Sequence, residues 1–181
     1  MTDVPAVVGV LGGGRMGAGI AHAFVVSGST VRIVERDDDR AAAALDRVIS
    51  ALAASVERGT TGEPLAALNA RIETGTDDAL FDECELVIEA VPEDTALKIA
   101  SLARIEDRVG AEIPIASNTS SLSIDALAAS LRFPQRFLGL HFFNPVPASE
   151  LVEIVVGRAT DAALVADAQD WVGALGKPPV T

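Results

Sequence analysis

Apolar residues along this chain follow two alternating patterns: short runs, and longer stripes spaced by three and four. The runs are Val7–Leu11, Thr30–Glu35 (through Val31, Ile33 and Val34), Leu86–Glu89, Ile113–Ser117, Phe137–His141 and Leu151–Val156. Each is short, rich in β-branched or large apolar residues and bounded by Gly, Pro or polar positions, which predicts buried strands. Arg71–Thr74 is assigned as a further short strand. The stripes predict helices. Ala18–Val26 follows the first run, and Arg40–Arg58 carries apolar residues at Ala41, Ala44, Leu45, Val48, Ile49, Leu52 and Val56. Asp94–Val109 repeats the spacing at Leu97, Ile99, Leu102, Ile105 and Val109. A short helix ends near Leu131, and a last one runs through Leu175 to the stop at Gly176 and Pro178. Asp37, Asp38 and Asp39 offer N-cap carboxylates for the second helix, and Thr160 and Asp161 for the last. Gly59, Gly62 and Pro64 break the chain between elements.

Alternation of strand and helix predicts an α/β fold, a doubly wound, mostly parallel sheet of the Rossmann-like kind, with right-handed crossovers. Residues 1–181 are expected to form a single dinucleotide-binding domain. In such sheets ligands gather at the carboxyl ends of the strands. Glu35, Glu89, Ser117 and His141 all fall at or just past such ends.

The first strand runs into Gly12-Gly13-Gly14-Arg15-Met16-Gly17, a G-x-G-x-x-G between a strand and a helix. Gly12 permits the tight turn, Gly14 lets backbone N–H groups approach a pyrophosphate, and Gly17 lets the helix pack close to the strand. The helix N-terminus adds unpaired N–H groups and the positive end of its dipole. Glu35 lies eighteen residues past Gly17, near the spacing expected for the acid that bonds the adenosine ribose. A carboxylate there favours NAD over NADP. Arg36, next in the chain, weakens that exclusion because an arginine accepts a 2′-phosphate.

Composition narrows the partners. Of the 181 residues 49% are apolar, which excludes disorder and allows a substantial core. A net charge of −12 disfavours nucleic acid and anionic membranes. The single cysteine, Cys84, is assigned to the core beside the Leu86 strand and leaves no metal cluster. No stretch has the length of a membrane span, and the N-terminal MTDVPAVV lacks a basic, cleavable leader, so a cytoplasmic protein is expected.

His141-Phe-Phe-Asn144-Pro145 carries the candidate chemistry. A neutral imidazole takes a hydroxyl proton near neutral pH and its cation returns it. Glu153, twelve residues on, sits between apolar neighbours in LVEIVV, where an acid needs a partner. A hairpin-like return from Asn144 to Glu150 would set Glu153 opposite His141. There it would fix the imidazole tautomer and stabilise the cation. The alternative is a strand-end histidine beside an outward-facing acid. His22, inside the first helix, is assigned to packing or surface.

VGVLGGGRMGAGIA, LVIEAVPED, ASNTSSLSI, GLHFFNPVP and LVEIV together resemble the NAD-binding domain of the 3-hydroxyacyl-CoA dehydrogenases over nearly the whole chain. The resemblance implies NAD as cofactor and an acyl-CoA thioester as substrate. The implied reaction interconverts 3-hydroxyacyl-CoA and 3-oxoacyl-CoA by hydride transfer, as in fatty-acid oxidation. It implies that His141 is the base, that Glu153 orients it, and that Ser120 bonds the substrate C3 oxygen near the nicotinamide. Asn144 would help hold the site, and Glu93 and Lys98 would line the cofactor near its nicotinamide end, with Gly12, Gly14, Arg15, Met16, Gly17 and Glu35 along the rest.

Three departures matter. The family binds CoA through a serine and a lysine on the helical segment after the second strand. Here no lysine lies between Glu35 and Lys98, Ala51 stands where the serine is expected, and Arg58 is the nearest candidate for the positive charge. Ala148, Ser149 and Glu150 replace the usual bulky apolar and neutral or basic residues after Pro147. The family also continues into a helical C-terminal domain that covers the cleft and builds the dimer, and nothing in these residues corresponds to it. A helical partner domain or a homo-oligomer is therefore expected to cover apolar surface left here. Two alternatives stay open: an NAD-binding module inactive without that partner, and a dehydrogenase of another hydroxy substrate.

Overall fold

A computed structural model describes residues 4–181; the three residues that open the N-terminal stretch considered above for a leader lie outside them. In chain order the elements are β1 (Val7–Leu11), α1 (Arg15–Val26), β2 (Thr30–Val34), α2 (Asp38–Glu57), α3 (Leu65–Asn69), β3 (Ile72–Gly75), β4 (Leu86–Glu89), α4 (Thr95–Val109), β5 (Ile115–Ser117), α5 (Ile124–Ala128), β6 (Phe137–Phe142), β7 (Val152–Val155), α6 (Ala162–Ala174) and β8 (Pro179–Val180). The strands form one eight-stranded sheet in the order β3-β2-β1-β4-β5-β6-β7-β8. From β3 to β6 every pairing is parallel, so all six of these strands point their carboxyl ends to one edge. β7 then returns antiparallel to β6, and β8 runs parallel to β7.

Both faces of the sheet are covered, which is why its central strands carry no polar alternation. One core lies under α1, α2 and α6 and includes Val8, Val10, Phe24, Leu52, Leu140 and Leu164. The other lies under α4 and α5 and includes Val34, Phe81, Val87, Leu102, Ile105 and Phe137. Cys84 belongs to this second core, where burial pushes its thiol up to about 12. No helix among the described residues is long and apolar enough to cross a membrane.

Local chemistry sets the ends of the elements. Asp37 caps α2 by accepting from the Arg40 N–H, Asp94 caps α4 from the Leu97 N–H, and Ser123 caps α5 from the Ala126 N–H. Two elements depart from the sequence expectation. The breakers at Gly62 and Pro64 are followed at once by the short α3, which starts from Pro64 as its N-cap. The Pro178 stop is followed by β8, a two-residue strand that accommodates Pro179 because it lies at the sheet edge. The outer end of the sheet leaves Val155, Val156 and Val180 about two-fifths exposed.

The β1–α1 turn leaves no room for side chains at Gly12, Gly13 and Gly17. Gly12 has φ +96°, a region that favours glycine. A Cβ on Gly17 would lie 1.8 Å from the Gly12 carbonyl oxygen, and backbone cannot swing aside as a side chain does. Gly17→Ala is accordingly expected to lower folding stability by about 1–3 kcal/mol through overpacking. Denaturant unfolding with an unchanged m-value would check it, and a variant as stable as the parent would show that the turn relaxes freely.

Candidate active site

A cavity of about 680 Å³ opens at the carboxyl edge of the sheet, between the β1–α1 turn, the ends of β2, β4 and β5, and the segment after β6. Gly12, Gly14, Arg15 and Met16 line its middle. α1 begins at Arg15 with Gly14 as N-cap and no side-chain cap. Its first N–H groups thus remain for a ligand, the arrangement an anionic pyrophosphate needs. Gly17 stands behind this wall, in the helix, and acts only by letting α1 approach the turn.

Glu35 follows the last residue of β2 and lines the cavity. One of its oxygens accepts from the Gly13 N–H at 2.8 Å, so the acid also ties the glycine turn to the end of β2. Arg36 and Arg40 share Asp37 (Nε···Oδ2 3.1 and 3.6 Å) and line the same end, as does Arg104 from α4. No spacing rule in the sequence pointed to Arg40 or Arg104. They belong to the polar sides of helices, and only the crossover geometry brings them to this wall.

Behind the wall lies a buried polar cluster. Glu89 ends β4 fully buried, and its carboxylate accepts from Lys98 Nζ at 2.8 and 3.0 Å, from the Ser117 hydroxyl at 2.6 Å and from the Val91 N–H at 2.7 Å. Lys98 is 1% exposed and also donates to the Val91 carbonyl. It does not line the cavity, as the family resemblance implied; it sits beneath the wall because Glu89 draws its ammonium inward. Its second anionic neighbour, Glu93 at 3.4 Å, does face the cavity.

Glu93 organises the serine-rich loop after β5. Its Oε1 accepts from the Thr119 hydroxyl at 2.5 Å and from the Ser120 N–H, the Ser121 N–H and the Ser121 hydroxyl at 3.0 Å each. Partial burial pushes its carboxyl up, but the bonds from Thr119 and Ser121 and the Lys98 charge outweigh that and hold it at about 2. Ser120 is exposed, lines the cavity and has its hydroxyl 3.5 Å from Glu93, too far for a strong bond, so this hydroxyl is free for a ligand.

His141 and Glu153 are directly opposed in the antiparallel β6–β7 pairing. Nδ1 of His141 lies 2.8 Å from Glu153 Oε2, so the hairpin return supplies the facing pair that spacing alone left undecided. With Nδ1 bonded to a carboxylate, Nε2 is the nitrogen left to exchange a proton. The exposed Phe143 packs on the imidazole with ring centroids 4.3 Å apart. Asn144 lines the same end. So does Asn118, which the sequence reading passed over within the serine loop; its Oδ1 accepts from the Phe142 N–H and braces the end of β5 against β6.

Arg58 does not join this group. α2 starts beside the cavity and runs 20 residues, about 30 Å, before reaching it. There it neighbours His22, which is buried and bonded to Ser55 Oγ at 2.8 Å. Burial pushes the His22 imidazole down, and the Arg58 and Lys177 charges add to that.

The family described as 3-hydroxyacyl-CoA dehydrogenase, NAD binding domain matches residues 7–181. Among solved structures, (S)-3-hydroxybutyryl-CoA dehydrogenase PaaH1 from Ralstonia eutropha is 38% identical with a TM-score of 0.93, covering 98% of this chain and 63% of that one. M. tuberculosis FadB2 is 38% identical with a TM-score of 0.92, at 98% and 64% coverage. The 3-hydroxybutyryl-CoA dehydrogenase of Escherichia coli is 36% identical with a TM-score of 0.91, at 97% and 37% coverage. The chain thus spans less than two thirds of the length of each.

The depressed Glu93 carboxyl has a consequence for acid stability. Its folded value lies below the ordinary 4.5, so the stability it contributes is complete above about pH 4.5 and is lost as pH falls toward about 2. Urea midpoints across that window are expected to fall less steeply in Glu93→Gln than in the parent. Parallel curves would remove Glu93 as a stabilising carboxylate.

Proposed function

This chain belongs to the 3-hydroxyacyl-CoA dehydrogenase family as its NAD-binding domain, and we propose that it serves hydride transfer between C3 of a 3-hydroxyacyl-CoA thioester and NAD. One observation carries the reading: His141, bonded to Glu153 behind it, lines the same cavity as the uncapped N-terminus of α1. An oxidation that needs a base at C3 and a dinucleotide beside it requires that juxtaposition.

The residues present fit the cofactor. The free N–H groups at the start of α1 suit the pyrophosphate, and Glu35 suits the adenosine ribose hydroxyls. Bound NAD supplies the hydride acceptor, or as NADH the donor, at its nicotinamide ring. His141 Nε2 takes the proton of the C3 hydroxyl, and Glu153 on Nδ1 holds the ring in the required tautomer and balances the charge it gains. The Ser120 hydroxyl donates to the C3 oxygen. Asn144 and Phe143 frame the imidazole from the following segment. In the reducing direction the same histidine returns its proton to the C3 oxygen. Lys98 and Gly17 act on this site from behind its walls, and Arg58 is offered only as a distant contact to the CoA portion.

NADH oxidation with acetoacetyl-CoA tests the reading, run with the chain alone and with a helical C-terminal domain added. Turnover in either case supports it. Tight NADH binding without turnover in both would leave a cofactor module, and turnover of free hydroxy or oxo acids in preference to thioesters would move the substrate class. His141→Ala is expected to lower kcat by about 10²–10⁴ while NAD binding stays within about twofold. Loss of binding instead would contradict its placement. Glu35→Ala is expected to raise the Kd for NAD and narrow the gap to NADP, measured by calorimetry; an unchanged preference would remove Glu35 from the ribose site.

A further inference from the structure

The buried cluster under the nicotinamide end of the cavity has more negative than positive groups. Glu89 receives four hydrogen bonds, two of them from Lys98 Nζ, and offers no donor. Both Glu89 oxygens face the Lys98 ammonium, which can only donate, so the two groups pair as carboxylate and cation. Lys98 is therefore spent on Glu89, at 2.8 and 3.0 Å, and only grazes Glu93 at 3.4 Å. Glu93 likewise receives only donors, from Thr119, Ser120 and Ser121, and its depressed carboxyl agrees. Two carboxylates and one ammonium leave one negative charge. It resides on Glu93, the member of the three that faces the cavity. Among the described residues Lys98 is the one cation within ion-pair distance of Glu93.

Arg36, Arg40 and Arg104 also line the cavity, the first two paired with Asp37 and the third with Asp78. A dinucleotide laid along the cavity would set its phosphates toward the glycine turn, and its nicotinamide toward Glu93, Ser120 and His141. Oxidised and reduced dinucleotides share the same phosphates, riboses and adenine. They differ by one positive charge, on the oxidised nicotinamide ring. We propose that Glu93 sets the relative affinity of the site for the oxidised over the reduced dinucleotide, its uncompensated charge favouring the cationic ring. The proposal rests on the hydride-transfer reading above, which puts the C3 oxygen at Ser120 and His141 and so the nicotinamide beside them. It makes Glu93 a determinant of which redox form stays bound, and hence of the poise between the two directions of the reaction.

The measurement is the dissociation constant of the chain for NAD+ and for NADH, by calorimetry, in the parent and two variants. Glu93→Gln keeps an oxygen for the Thr119 and Ser121 donors and removes the charge. It is expected to weaken NAD+ by about tenfold and NADH by less than about twofold. Glu93→Asp keeps the charge on a shorter arm and is expected to hold the ratio of the two constants within about twofold of the parent, even where both weaken. Equal weakening of both forms by Glu93→Gln would make Glu93 a loop brace alone and overturn the proposal, as would an unchanged ratio. Should Glu93→Gln fail to fold, Glu93→Asp decides the matter, since a ratio that moves while the charge is kept also overturns it. If the parent binds neither form, the dinucleotide reading itself fails, an outcome distinct from a fixed ratio.

Discussion

An ammonium group as buried as that of Lys98 requires an anionic partner, and the end of the central strand β4 supplies one in Glu89. Much of the site depends on this pair. Glu89 also takes the Ser117 hydroxyl from the end of β5 and the Val91 N–H from the turn after β4. Lys98 belongs to the first turn of α4. One buried contact therefore joins two strands, the turn between β4 and α4, and the helix that roofs the far face. The serine loop hangs from Ser117 and Glu93, and so inherits its position from this cluster.

The topology explains why the polar groups meet there. Parallel strands joined by crossovers deliver their carboxyl ends to one edge, where turns rather than ladders finish the backbone hydrogen bonds. The glycine turn after β1, Glu35 after β2, the serine loop after β5 and His141 near the end of β6 come from different strands, yet share one cavity. The dyad needs an exception to that rule. A parallel return would take Glu153 to the opposite edge, whereas the antiparallel β7 sets it directly across from His141.

Most of the frame was legible in the chain. β1, β4 and the bulk of β5 and β6 were visible as short apolar runs, because strands buried on both faces cannot carry polar alternation, and β2 and β7 by their β-branched residues. The helices α2 and α4 were visible as stripes with capping aspartates, since their outer faces stay in water. α3 and β8 were hidden by their size: five and two residues cannot show a period. Gly12 and Gly17 were legible because a positive φ and a backbone approach without room for Cβ have no other solution, and Gly14 by its place in the motif. The glycine turn with the acid of β2, and the histidine with its spaced glutamate, could each be named from spacing and from the family's motifs.

Distances between residues remote in sequence lay beyond any local pattern. Whether Lys98 faced the cofactor or the core was decided by Glu89, nine residues earlier but on a neighbouring strand end. Whether Glu153 paired with His141 was decided by the register of a hairpin. Arg40 and Arg104 reached the cavity, and Arg58 did not, through helix length and crossover direction. Residue order determined which backbone each segment could adopt, because sterics and burial act on neighbours along the chain. The tertiary structure alone decided which charges meet, because their pairing energy depends on separation and burial in space.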